Sequence, residues 1–122
     1  ILEPNETLDT DEIEFESLIK LKLLYPSMSR ENDSAEAMLF ENTYKAENKI
    51  TPSVFAIRGF DVTFDTLMRL SQTTSFLDSL SIQSTEQVES KFEYVKTENG
   101  GYANKGTYIL YYDADLKLKV AK

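Results

Sequence analysis

Histidine, cysteine and tryptophan are all missing from this chain of 122 residues. Without imidazole or thiol there is no Ser-His-Asp or Cys-His nucleophile system. There is also no zinc site of imidazole or thiolate ligands, and no disulfide framework or CxxC redox pair. Glycine (4) and proline (3) are scarce, so each one marks a particular turn or break. No apolar run approaches the ~18 residues that suggest a membrane span, so no membrane insertion is expected. Basic residues are short as well: 13 Lys and Arg stand against 21 Asp and Glu, a net charge of −8. No basic stripe is available to displace phosphate counterions, and nucleic acid is not an expected partner.

What is present divides unevenly. Seven of the eight net negative charges lie in the first sixteen residues, as Glu3, Glu6, Asp9, Asp11, Glu12, Glu14 and Glu16. Residues 1–17 read as an acidic, poorly ordered leader. Residues 18–122 read as one α/β domain. The chain opens on Ile1 rather than Met, as a mature product or an excised piece of a longer protein does.

Leu18 to Tyr25 reads as a strand, with Leu21 and Leu23 opposed to Lys20 and Lys22, stopped by Pro26. A polar loop to Asp33 leads to N-cap candidates Asn32, Asp33 and Ser34. The first helix is predicted over about 35–47, with Ala37, Phe40 and Tyr44 as its apolar stripe. A longer helix is predicted from near Ser53 to Ser71. It is apolar nearly all round its first half, and Phe55, Ile57, Phe60, Phe64 and Leu67 are expected to be buried. Gly59 inside it suggests close approach of another backbone. Residues 73–80 suggest a short helical turn. Ser84 and Gln87 have the capping-box form, predicting a short helix over 86–90. Three strands are predicted at 92–95, 107–112 and 116–120, the last two joined by Asp113-Ala114-Asp115. Gly100, Gly101 and Gly106 are expected at positive φ.

No catalytic, metal-ligating or cofactor-binding residue can be assigned. Asp61 and Asp65 share a helix face, a spacing that can hold a cation or share a proton, but an exposed acidic edge is the simpler reading. Asp113 and Asp115 resemble the start of a calcium loop, yet Leu118 stands where its glycine is required. Asn99-Gly100-Gly101-Tyr102 precedes a strand rather than a helix, which suits a turn and not a phosphate cradle. Tyr94, Tyr102, Tyr108, Tyr111 and Tyr112 crowd the last third, as ordinary sheet packing or as a binding face.

Phe40…Tyr44-Lys45 followed by Thr51-Pro52-Ser53-Val54-Phe55-Ala56-Ile57-Arg58-Gly59-Phe60-Asp61-Val62 resembles the closing part of a type 1 periplasmic-binding-protein domain. The subfamily is that of receptors for branched-chain amino acids and amides. Phe92-Glu93-Tyr94, Gly101-Tyr102-Ala103-Asn104 and the strands from Thr107 to Val120 fit its tail. The resemblance covers about residues 18–122 and implies the last third of a two-lobed fold: a strand, two packed helices, a short helix and C-terminal antiparallel strands. It implies a non-catalytic, extracytoplasmic receptor for a small, polar, amino-acid-like solute, bound by lobe closure in the full-length protein. Some such receptors carry peptidoglycan-binding LysM modules. The solute-contacting residues remain unassigned. Tyr25, Ser27, Ser29, Phe55 and Arg58 occupy the positions from which such a piece faces the cleft. An isolated fragment would leave apolar faces uncovered, so a homodimer or a strand-exchanged assembly is expected. The alternatives are a protein- or glycan-interaction module using the acidic leader or the tyrosine-rich hairpin, and a domain attached to a cell-wall hydrolase.

Overall fold

Two serines set where the main helices begin. In the computed structural model, which describes residues 17, 19–20, 23–115 and 117–121, Ser34 caps helix α1 (Ala35–Asn48) and Ser53 caps helix α2 (Val54–Gln72). Each hydroxyl accepts a backbone N–H three residues on, from Ala37 and Ala56 respectively, at 3.2 Å. This satisfies a donor that the first helical turn leaves open. Asn32 steadies the first cap by accepting the Ser34 N–H at 3.0 Å. Helix α1 ends at Lys49, in the left-handed region at φ 61°. Ser75 caps a third, four-residue helix, α3 (Phe76–Ser79). The acidic leader, apart from Ser17, lies outside the described residues.

The strands are short and pair antiparallel. They are β1 (Leu24–Ser27), β2 (Thr85–Glu86), β3 (Lys91–Phe92), β4 (Tyr94–Lys96), β5 (Tyr102–Asn104), β6 (Tyr108–Tyr112) and β7 (Leu118–Val120). They form a three-stranded sheet in the order β1-β6-β7 and two hairpins, β2-β3 and β4-β5. The protein is thus mixed α/β, with small antiparallel sheets.

Within the stretch 18–122 the described residues form two compact units. The first takes residues up to Glu31 and from Thr107 onward, and holds the β1-β6-β7 sheet with Tyr108 and Leu110 buried on it. The second, Asn32–Gly106, holds the three helices and both hairpins. Its buried apolar residues are Ala37, Leu80 and Phe92, and α1 meets α2 where the Phe40 and Phe60 rings lie 4.4 Å apart.

Several sequence expectations change. Ser17, Ile19 and Lys20 are helical and the strand runs over Leu24–Ser27, so it continues through Pro26 instead of stopping there. Pro26 pairs opposite Ile109 on an edge strand, where its missing N–H costs no ladder bond. The expected strand residues Leu18, Leu21 and Lys22 lie outside the described residues, as does Leu116.

The helix expected over 86–90 is instead the hairpin of β2 and β3. The N–H groups of Val88, Glu89 and Ser90 are taken by the Asp61 carboxylate and do not turn into a helix. The strand expected over 92–95 is broken at Glu93, whose N–H donates to Asn104 Oδ1 and whose carbonyl accepts the Lys105 N–H. Gly100 and Gly101 have positive φ; Gly106 does not. Gly106 is required for space, since a Cβ there would lie 2.6 Å from the Lys91 carbonyl carbon.

The largest correction concerns α2. Phe55 is 77% exposed and Leu67 60%, Phe60 and Phe64 are also exposed, and only Ile57 is half-buried. The side turned inward is Asp61, Asp65 and Arg69, with at most 1% exposure. Of the apolar residues Phe60 meets α1 through Phe40 and still stays exposed, whereas the hairpins supply the partners that the charged ones need. Gly59 likewise has no atom within 4 Å of where a Cβ would stand.

Candidate functional site

Asp61, Asp65 and Arg69 recur every four residues and so share one face of α2. Asp61 accepts three backbone N–H groups from the turn between β2 and β3. Val88 donates to Oδ1 at 2.9 Å, and Glu89 and Ser90 donate to Oδ2 at 3.0 and 2.8 Å. Successive N–H groups converging on one carboxylate form an anion nest, here filled by the protein's own side chain.

Arg69 Nε donates to Asp65 Oδ2 at 2.7 Å. Its Nη1 donates to the Ser79 carbonyl at 3.0 Å, and its Nη2 to Thr85 Oγ1 at 2.9 Å and the Phe92 carbonyl at 3.3 Å. The Tyr94 ring lies 5.1 Å from the guanidinium carbon, a cation–π distance. Thr85 Oγ1 donates its own proton to Asp65 Oδ1, which also accepts from Gln87 Nε2 at 3.2 Å. The Tyr94 phenol is pushed above its ordinary pKa, first by burial and then by the Asp65 charge, with Arg69 opposing.

Chemically this is a lock. The two carboxylates turn to different partners, and every oxygen accepts a hydrogen bond from the fold itself. The exposed acidic edge expected at Asp61 and Asp65 is corrected: both are buried, because α3, β2 and β3 wrap their side of the helix. Among the described residues no group of three or more acidic side chains is placed to hold a metal ion.

The five cleft candidates fall in both units. In the first unit the Tyr25 ring lies 6.3 Å from that of Tyr112. Burial, then the neighbouring Tyr112 phenol and its hydrogen bond, then Glu31, raise the Tyr25 pKa well above the usual phenol range. Ser27 Oγ donates to the Ser29 carbonyl at 2.7 Å, so the two serines form one tight turn after β1. Arg30, in the same loop, lies over the Tyr108 ring, its guanidinium carbon 5.1 Å from the ring centre. Phe55 and Arg58 lie in the second unit, in the first turns of α2. Of the tyrosines in the last third, Tyr108 is buried and Tyr112 is occupied by Tyr25.

The second unit has a cavity lined by Asn32, Phe40, Glu41, Pro52, Ile57 and Val88 among others, of ≈ 170 Å³. That is below the ~300 Å³ at which small-molecule sites begin. No described helix is long and apolar enough to cross a membrane. No family model, curated protein or solved structure matches the chain.

Proposed function

We propose that the chain is the C-terminal part of a two-lobed, non-catalytic, extracytoplasmic receptor domain. In the full-length protein it would help to hold a small, polar, amino-acid-like solute by lobe closure. The observation that carries this reading is the path of the chain. It builds part of one compact unit up to Glu31, all of a second from Asn32 to Gly106, and returns to the first from Thr107. A segment that contributes to two units and passes twice between them is what a hinged, two-lobed binder requires of its chain. The exposure of Phe55 and Leu67 on α2 agrees with a helix made to be overlaid by more protein. Sequence resemblance over 18–122 supplies the solute class.

Calorimetric titration with a panel of amino acids tests this reading. The 122-residue chain alone is expected to release no binding heat, and the full-length protein is expected to bind one member of the panel. Loss of that binding on Arg30→Ala or Ser29→Ala in the full-length protein would place the loop after β1 at the solute. A full-length protein that binds none of the panel would remove the proposal.

A further inference from the structure

We infer that Tyr25 and Tyr112 are a site of oxidative cross-linking, at which a peroxide-driven one-electron oxidant joins the two rings as dityrosine and clasps β1 to β6. Tyr25 pairs opposite Leu110, and Tyr112 lies two residues beyond Leu110, so both rings stand on the same face of the sheet as diagonal neighbours. Their centroids are 6.3 Å apart, with the ring planes tilted by 42°. Their hydroxyls share a hydrogen bond, which draws together the ring carbons beside each hydroxyl, the Cε positions. Both residues are half-buried, so the fold holds the pair while part of it stays accessible.

Composition directs such oxidation to tyrosine. Cysteine and tryptophan, the other side chains that surrender a single electron readily, are absent, and methionine reacts with peroxide by a two-electron route to its sulfoxide. A haem peroxidase charged with hydrogen peroxide takes one electron from each phenol, and each hydroxyl proton leaves with it. The two phenoxyl radicals couple through a new Cε–Cε bond. The hydrogen on each coupled carbon then moves to the phenol oxygen, which restores both rings. Two electrons and two protons have left the pair, and they reduce one hydrogen peroxide to two waters. Tyr25 precedes the second unit and Tyr112 follows it, so the bond encloses residues 26–111. In a chain without cysteine it acts as a disulfide does elsewhere, by closing a long loop and restricting the unfolded chain.

The inference stands apart from the solute-binding reading. The test treats the 122-residue chain with a haem peroxidase and hydrogen peroxide, and follows dityrosine fluorescence, intact mass and the peptides of a digest. The wild type is expected to lose two hydrogen atoms without doubling its mass, and to yield a cross-linked peptide pair holding Tyr25 and Tyr112. Its urea unfolding midpoint is expected to rise. Tyr25→Phe and Tyr112→Phe keep the rings and remove a hydroxyl, and each is expected to lose this cross-link, with urea unfolding of the untreated variants as a check on folding. Tyr102→Phe, at an exposed tyrosine, is expected to keep it. Unfolding the wild type in urea before oxidation is expected to abolish the preference for this pair. The inference is overturned by no cross-link, by cross-links only between separate chains, by a pair other than Tyr25 with Tyr112, or by the same yield from the unfolded chain. A cross-linked chain with an unchanged midpoint overturns it as well.

Discussion

The Arg69 guanidinium lies 2.7 Å from the Asp65 carboxylate, one helical turn apart on α2, and solvent reaches neither side chain beyond 1%. Most ion pairs at this spacing lie on a helix surface and contribute a few tenths of a kcal/mol. Here the pair is the centre of the second unit, and α3, β2, β3 and β4 are arranged as its ligands. Removing two charges from water is costly, so such a pair is tolerated only where every remaining donor and acceptor finds a partner. Arg69 meets that condition through carbonyls, a hydroxyl and a ring. The pair therefore fixes which segments lie against α2 more than it adds net stability.

Asp61 holds the β2–β3 turn by three N–H groups at once. Asp61→Ala removes their acceptor and leaves buried donors open, so a loss of about 3 kcal/mol is expected in urea unfolding. Asp61→Asn keeps the shape and one acceptor oxygen, and should lose less. Equal stability of Asp61→Ala and wild type contradicts the role given to this residue.

Gly106 and Gly100 separate two reasons for glycine. At Gly106 a methyl group would meet the Lys91 carbonyl, where Asn104 also bridges by donating from Nδ2 at 2.9 Å. Gly106→Ala is expected to cost about 2 kcal/mol through displaced backbone. Gly100 has open space but φ 81°, so Gly100→Ala is expected to cost about 1 kcal/mol from conformation alone, and Gly100→Asn less. Thermal unfolding of the three variants gives the ranking directly, and Gly100→Ala costing more than Gly106→Ala would contradict it.

On the β6–β7 hairpin, Lys119 donates to Asp113, and the hydrogen bond together with the Ala114 N–H holds the Asp113 carboxyl below its usual range. The same contact lifts Lys119 above its usual range. For Asp113, whatever the contact contributes is present above the ordinary carboxylate pKa and is lost as pH falls through the depressed one. For Lys119 it is present below the ordinary ammonium pKa and is lost as pH rises through the elevated one. Lys119 is exposed and Asp113 only half-buried, so the contribution to stability is small. In an NMR titration the Asp113 midpoint is expected to rise toward the ordinary value in Lys119→Ala, and an unmoved midpoint would contradict the pairing.

Tyr25 is expected to hold its proton beyond the ordinary phenol range, with burial the larger cause and Tyr112 the next. A phenolate absorbance titration of Tyr112→Phe should move Tyr25 down only part of the way. Full return to the ordinary value would make Tyr112, and not burial, the main cause.

Much of the local structure was readable from short-range chemistry. Ser34 and Ser53 announced their helices because a cap depends only on the next three residues, and Tyr108–Tyr112 announced a strand through β-branched and aromatic content. The Ser84–Gln87 pattern misled because the deciding partner, Asp61, lies more than twenty residues away and takes the N–H groups a helix needs. The burial of α2 misled for a related reason. Apolar content says that a side prefers cover but not that cover exists within the chain, and Arg69 gains more partners from the hairpins than Phe55 does from anything described. The i, i+4 spacing of Asp61, Asp65 and Arg69 was visible. Its inward direction was not, since an exposed pair has the same spacing.

A double-mutant cycle on Asp65→Asn and Arg69→Gln tests most directly the claim that α2 faces inward with its charges. Urea unfolding of the wild type, the two single variants and the double variant is expected to give a coupling above about 1.5 kcal/mol, with each single change costing more than the pair removed together. A coupling below about 0.5 kcal/mol, the range of solvent-exposed pairs, would mean that this side of the helix looks outward and that its apolar side is the buried one.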